Sequence, residues 1–342
     1  MRRVSEHRRR HRGGVALKPF RYERAYDERA AIATLAATPG AKFLGGGTNL
    51  VDLMRLGVET PDLLVDVRRL ASDRIDETDA GGLRIGAGVR NSDLAADARV
   101  RTRYPALAEA LLAGASGQLR NLATTGGNLL QRTRCAYFQD VTTPCNKRDP
   151  GTGCPARDGE HRNLAIIGHS EHCVATHPSD MAVALVAFEA IVRVVGLGGG
   201  REIPLVDFHR LPGDTPQRDT VLERDELIVA VDVPALTVAV NSTYRKVRER
   251  ASFAFALVSV AAALDVVDGE IRDVRIAFGG LAHKPWRAHV AEAALRGSAA
   301  DTDAFRRAAD AELAQAEPLR DNGYKVELAR NTLVRTLQEL AE

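Results

Sequence analysis

Apolar and polar positions alternate in short blocks along the first part of the chain. Phe20 to Tyr22 reads as a strand. A helix over 27–37 follows, with Ala30, Ile32, Ala33, Leu35 and Ala36 as small apolar positions and Pro39-Gly40 as its stop. Lys42-Phe43-Leu44 is a short strand, 50–56 a helical segment, and Leu63-Leu64-Val65-Asp66-Val67 the next strand. This β–α–β–loop–α–β order predicts a small α/β unit. The pattern then changes. A strand is expected over 83–87 and a helix towards Ala98 capped by Ser92 or Asp93. Helices over 104–113 and 181–188 and a strand over 190–195 follow, with a glycine turn at 196–200 and a strand over 226–233 ended by Pro234. A third block begins near Thr243. It holds strands over 255–264 and 274–278, helices over 288–295 and 302–316, and a final amphipathic helix over 325–340 carrying Val326, Leu328, Leu333, Leu337 and Leu340.

A length of 342 residues suits two or three domains. The net charge of +2 gives the chain no general electrostatic case for nucleic acid. No apolar run approaches the roughly 20 residues of a membrane span. The opening stretch carries Arg2, Arg3, Arg8, Arg9, Arg10 and Arg12 without an apolar core after them, so it reads as a disordered basic tail over 1–18 and not as a signal peptide.

Two glycine loops carry the first chemical signal. Gly45-Gly46-Gly47-Thr48-Asn49 stands between a strand and a helix, where glycines let backbone N–H groups approach a phosphate. It is neither a G-x-G-x-x-G fingerprint nor a Walker loop, and by itself such a loop is more often a tight turn. Thr124-Thr125-Gly126-Gly127-Asn128 repeats the same kind of loop after Arg120-Asn121-Leu122-Ala123. The pair has the makings of a grip on a diphosphate; two unrelated turns are the alternative.

These stretches resemble a known family. Lys42-Phe43-Leu44-Gly45-Gly46-Gly47-Thr48-Asn49-Leu50 and Arg120 to Leu129 are similar to the two FAD loops of the FAD-binding subunits of the xanthine dehydrogenase family. His177-Pro178-Ser179-Asp180, Tyr244-Arg245-Lys246-Val247, Ser252-Phe253-Ala254-Phe255-Ala256, Ala277 to Ala282 and Pro285-Trp286-Arg287 resemble later segments of that family in the same order. The resemblance implies an α/β (α+β) fold: a vanillyl-alcohol-oxidase-type FAD domain of two subdomains, about 19–75 and 76–238, and a small α/β C-terminal domain of the CO-dehydrogenase-flavoprotein type over 239–342. It further implies that FAD is held by Lys42, Phe43, Leu44, Gly45, Gly46, Gly47, Thr48, Asn49, Leu50, Thr124, Gly126, Gly127 and Asn128. Asp180 and Lys246 would lie near the ribityl chain or flavin, and Ile228 beside the ring system. On the residues alone, Asp180 reads as a helix cap and Lys246 as a solvated charge. Relatives with an aromatic near the adenine differ from this chain, which has Gly114 there.

All four cysteines, Cys135, Cys145, Cys154 and Cys173, fall in one stretch with spacing C-x9-C-x8-C-x18-C. There is no C-x2-C, so neither a zinc ribbon nor a bacterial ferredoxin run is indicated. Spacing leaves open a metal or iron–sulfur site, two disulfides or coincidence. His161, His169, His172 and His177 lie nearby and offer a mixed His/Cys site as a further alternative. Arg132, Arg134, Lys147 and Arg148 would favour thiolates and an anionic cluster. The segment resembles a narrower group, the FAD-binding subunits of bacterial periplasmic aldehyde oxidoreductases with an added [4Fe–4S] cluster. That resemblance implies the four cysteines as cluster ligands in an insertion over about 131–176.

The implied function is electron transfer. A molybdopterin-binding partner oxidises aldehydes, a [2Fe–2S] subunit relays electrons, and this chain passes them through FAD to an external acceptor in a heterotrimer. A stand-alone FAD oxidoreductase and a non-catalytic assembly subunit with a structural cluster are the alternatives. No Ser–His–Asp or paired-carboxylate signature is present, so no catalytic side chain is assigned. The compartment is left open between periplasm, by export with a partner, and cytoplasm.

Overall fold

The computed structural model describes residues 17–250 and 254–342. The basic stretch over 1–16 and the pair Ser252-Phe253 lie outside the described residues.

The alternating first block folds into a three-stranded parallel sheet of β1 (Arg21–Arg24), β2 (Ala41–Leu44) and β3 (Leu63–Asp66), in the order β1-β3-β2. Parallel neighbours need a crossover. Helix α1 (Glu28–Ala37), capped by the Asp27 carboxylate, and α2 (Leu50–Arg55) supply the connections. Ile32, Leu35, Leu63, Val65 and Val67 form its small core. The first glycine loop is the joint between β2 and α2.

Next comes a five-stranded antiparallel sheet of β4 (Ile75–Glu77), β5 (Leu83–Gly86), β6 (Ile191–Gly196), β7 (Gly199–Pro204) and β8 (Leu227–Val233), ordered β4-β5-β8-β6-β7. The expected turn over 196–200 is shorter than read, because Gly199 and Gly200 already pair with Gly196 and Val195. The expected cap at Ser92 or Asp93 is absent. The first helix, α3 (Asn91–Ala96), begins after Arg90 without a side-chain cap, and Asp97 breaks the run. The Asp97 carboxylate takes the backbone N–H groups of Arg99 and Val100, and so starts a second helix, α4 (Ala98–Arg103).

The C-terminal block is a four-stranded antiparallel sheet, β12-β11-β10-β9, made from β9 (Ser242–Val247), β10 (Val258–Val267), β11 (Glu270–Gly279) and β12 (Trp286–Arg287). Helices over His289–Leu295, Thr302–Leu313 and Tyr324–Ala341 cover one face and build a core around Phe278, Phe305 and Leu333. Among the described residues no helix is long and apolar enough to cross a membrane.

The helix Asp180–Ala187 joins the second and third blocks. Every residue of it is buried, as an all-round apolar sequence requires. It lies against the helix Pro105–Ala113 and against β10 and β11. Gly279 makes that approach possible, since a Cβ there would stand 2.7 Å from Val183 Cγ2 and 2.3 Å from Ser259 Oγ. The first residue of this helix, Asp180, is thereby brought to Lys246 on β9.

The final helix is anchored by a polar clamp that periodicity did not reveal. Lys325 is fully buried, and its ammonium donates to the carbonyls of Asn163, Leu164 and Gly280. Asn322, also fully buried, donates to Ala165 O at 3.1 Å. Burial pulls the Lys325 pKa down to about 7. The unfolded chain therefore holds more protons than the folded one between about pH 7 and the ordinary lysine value near 10.4, and stability rises with pH across that window. A Lys325→Met variant is expected to lose this rise. It should also melt lower at pH 7, by the equivalent of about 1–3 kcal/mol, because buried carbonyls lose their donor. Calorimetry at pH 7 and pH 9 checks both effects.

Candidate functional site

The two glycine loops meet. A Cβ at Gly46 would stand 2.0 Å from the carbonyl oxygen of Leu122, so the loops pack backbone to backbone there. Glycine at this position is thus required by the contact between the loops, whatever else they bind. Thr124 caps the short helix Thr125–Leu129 by accepting from Gly127 N at 3.2 Å, and Gly126 sits against Ala87.

The joined loops form one wall of a cleft of about 580 Å³, within the usual range for a cofactor site. Gly46, Gly47, Thr48, Asn49, Asn128, Asp180 and Lys246 all line it. Gly114 lines it too, with its Cα hydrogen facing Asp180 Oδ2. Lys42, Phe43, Leu44, Gly45, Leu50, Thr124, Gly126 and Gly127 stand behind or beside that wall and are not among the lining residues. Ile228 is buried in the core of the five-stranded sheet, where it pairs with Val194, and does not line the cleft.

Asp180 and Lys246 form a buried ion pair at 2.8 Å, with side chains 9% and 4% exposed. Ser179 is the helix cap, accepting from Ala182 N at 3.0 Å. Asp180 is left free to accept from Tyr244 Oη at 2.5 Å as well as from Lys246. Burial and the neighbouring carboxylate push the Tyr244 phenol well above its ordinary pKa, so it stays a donor. Lys246 Nζ also donates to Ala113 O at 3.1 Å.

Buried polar atoms in the cleft have no partner within the protein. Asn49 accepts from Arg132 N through Oδ1, but its Nδ2 is unpaired, as are Asn91 Oδ1 and Arg134 Nε. Buried polar groups are ordinarily satisfied, so a cleft lined by orphaned donors and an acceptor fits a polar ligand such as the ribityl diphosphate of FAD. Arg120, at the head of the second loop, and Phe255, from the segment Ser252 to Ala256, line the cleft as well, as do Asn91, which belongs to no quoted motif, and Arg134, read from the sequence only as a neighbour of the cysteines. Nothing local marks Asn91 as a cleft residue.

The four cysteines also converge. All are free thiols, Cys135, Cys145 and Cys173 are buried, and together they line one small pocket with Phe138, Lys147, His172 and Val174. The loops that present them are fixed by polar side chains. Asn146 Oδ1 accepts from Gly151 N and Gly153 N, and its Nδ2 donates to His172 O at 3.1 Å. Arg148 donates to Tyr137 O at 2.9 Å and Phe138 O at 2.7 Å. Burial pushes the Cys135 thiol up to about 11 and the Cys173 thiol up to about 12. A metal must therefore displace protons to enter.

Among the described residues no group of three or more His, Cys, Asp or Glu is arranged to hold a metal ion. A polynuclear cluster has a body of its own and needs thiols set around a pocket, not around a point. Of the nearby histidines only His172 lines the thiol pocket. His161 bonds to Ala156 O and Asp321 N, and His169 to Glu317 O. His177 packs edge-on against His209, ring centres 4.2 Å apart, and burial holds both far below the ordinary histidine pKa.

Comparison with known proteins agrees with the FAD-type cleft. A family model described as the FAD binding domain in molybdopterin dehydrogenase matches residues 18–236, and the CO dehydrogenase flavoprotein C-terminal domain matches residues 242–340. The chain belongs to the FAD-binding subunits of the xanthine dehydrogenase family of molybdenum hydroxylases, and is a flavoprotein subunit of an oxidoreductase. It is 53% identical over 325 residues to the aldehyde oxidoreductase FAD-binding subunit PaoB of Escherichia coli (strain K12), covering 94% of this chain and 98% of that protein. It is 27% identical to the glyceraldehyde dehydrogenase medium chain of Sulfolobus acidocaldarius, over 94% of this chain and 98% of that one. The carbon monoxide dehydrogenase of Hydrogenophaga pseudoflava lacking the Mo-pyranopterin moiety superposes with a TM-score of 0.73 at 27% identity, covering 95% of this chain and 98% of that chain.

Proposed function

We propose that this chain is the FAD and [4Fe–4S] electron-transfer subunit of a molybdenum-containing aldehyde oxidoreductase. A molybdopterin-binding subunit and a [2Fe–2S] subunit are its partners, and an external acceptor is its outlet. The observation that carries the reading is the convergence of all four cysteines on one pocket in a chain that also presents the FAD-type cleft. The identity with an aldehyde oxidoreductase subunit supports aldehyde as the substrate class of the partner.

FAD, when bound, supplies two-electron chemistry able to meet one-electron carriers. The protein's part is binding and orientation. Backbone N–H groups of Gly46, Gly47 and Thr48 would hold the diphosphate, with Asn49 Nδ2 as a further donor, and Asn91 Oδ1 would accept from a hydroxyl of the cofactor. Lys42 to Leu44, Gly45 and Leu50 fix the first loop, and Thr124, Gly126 and Gly127 the second. Lys246, held by Asp180, places a positive charge on the cleft wall.

The cluster, when bound, supplies a one-electron centre. Cys135, Cys145, Cys154 and Cys173 are its ligands, and the walls from Phe138 and Val174 exclude water. Purification of the full chain under anaerobic conditions tests both assignments. Flavin absorption and about four irons per chain are expected. Folded protein that is colourless and free of iron would sink the reading.

A further inference from the structure

One side chain connects the cleft to the thiol pocket while lining neither. Arg132 stands between the second glycine loop and Cys135. Its backbone N–H donates to Asn49 Oδ1 in the first loop at 3.1 Å. Its guanidinium donates to Glu59 Oε1 and to Asp219 Oδ2, both at 2.8 Å. The same group lies over the ring of Phe138, 4.6 Å from its centre, and that ring lines the thiol pocket.

The ion pairs extend outward from Arg132 on both sides. Glu59 binds Lys42, at the head of the first loop, at 2.5 Å. Asp219 binds Lys147, which lines the thiol pocket and is almost fully buried. Burial opposes the charge on Glu59, but Lys42 and Arg132 outweigh it and hold the carboxyl below its ordinary pKa. Lys147 and Arg132 do the same for Asp219. The chain Lys42–Glu59–Arg132–Asp219–Lys147 alternates in sign from the glycine loop to the cysteines. Where such groups are desolvated, losing one leaves its neighbours unpaired.

We propose that Arg132 is a positioning residue that couples the two sites, so that filling the thiol pocket strengthens FAD binding in the cleft. The inference rests on the cofactor assignment above. Iron bound by Cys135 and Cys145 fixes Phe138 and Lys147. These fix the Arg132 guanidinium and Asp219, and the Arg132 N–H then holds Asn49 in place for the ligand. Without iron, that ordering has to be supplied by flavin binding itself, at a cost in affinity. Linkage makes the effect reciprocal: bound FAD tightens the binding of iron by the same factor.

The test uses the purified full chain. FAD dissociation constants are measured by fluorescence titration in the iron-loaded form and after anaerobic chelation, for the natural protein and for Arg132→Gln and Arg132→Lys. In the natural protein, iron removal is expected to weaken FAD binding by about fivefold or more. Iron-loaded Arg132→Gln should bind FAD as weakly as the iron-free natural protein, with no further loss on chelation. Arg132→Lys keeps the charge but cannot span both carboxylates, so it should show an intermediate ratio. A residue with a merely structural role would lower the melting temperature and leave the ratio of the two FAD affinities unchanged; that result overturns the proposal. If Arg132→Gln does not fold, Glu59→Gln breaks the same link on the side of the first loop and must abolish the ratio. A natural protein that takes up no iron overturns the cluster assignment and the coupling together. One that takes up iron without any change in FAD affinity overturns the coupling alone.

Discussion

A Lys246→Met variant is expected to lose most of its FAD and to be destabilised by about 3–5 kcal/mol, the usual consequence of removing one partner of a buried ion pair. The Lys246 side chain is 4% exposed and that of Asp180 9%, so both charges are largely removed from water. After the substitution Asp180 keeps only the Tyr244 hydroxyl. The stability loss and the binding loss have different origins and can be separated. In an Asp180→Asn/Lys246→Met double variant no charge is left unpaired, and most of the stability should return, as it does when both members of a buried pair are replaced. FAD affinity should stay low, because the cation on the cleft wall is still missing. Thermal melting and flavin titration on both variants make the comparison. A Lys246→Met protein that binds FAD like the natural chain would remove Lys246 from the cofactor site.

This pair also shows where the sequence is legible. The glycine loops stand out because only glycine tolerates the approach of Gly46 to the Leu122 carbonyl, and such a constraint is written locally. The order of strands and helices is local in the same sense, and the family resemblance covers nearly the whole chain. Asp180 reads as a helix cap on its own sequence. Its pairing with Lys246, 66 residues away, depends on the packing of a fully buried helix against β10 and β11. Analogy places Ile228 beside the flavin, whereas its strand turns it into the sheet core. Glu59 and Asp219 carry no motif at all. They matter because folding brings single charges from separate segments against Arg132, and periodicity has no access to such pairings. Lys325 is hidden for a related reason: on a helical wheel it reads as polar, whereas the carbonyls that satisfy it come from two other segments.

A Cys145→Ser variant is expected to reduce iron from about four per chain to well below one, with loss of the broad visible absorption of the cluster. The substitution isolates the ligand from the loop. Cys145 holds its turn through its backbone: its carbonyl accepts from Arg148 N at 2.9 Å and Asp149 N at 2.8 Å, and its N–H donates to Thr152 Oγ1 at 3.1 Å. None of these bonds uses the sulfur, so serine preserves the turn and changes only the donor atom. A hydroxyl is a poor replacement for a soft thiolate ligand of iron. The adjoining loop, pinned by Asn146 to Gly151 and Gly153, should likewise stay in place. The same experiment distinguishes the cluster from a pair of disulfides. After chelation under denaturing, non-reducing conditions the natural chain should titrate as four free thiols, the state in which all four cysteines stand in this structure, and the variant as one fewer. Two disulfides would give no free thiol in the natural chain. Full iron retention in Cys145→Ser would remove Cys145 from the ligand set, and with it the reason to place a four-cysteine cluster in this pocket.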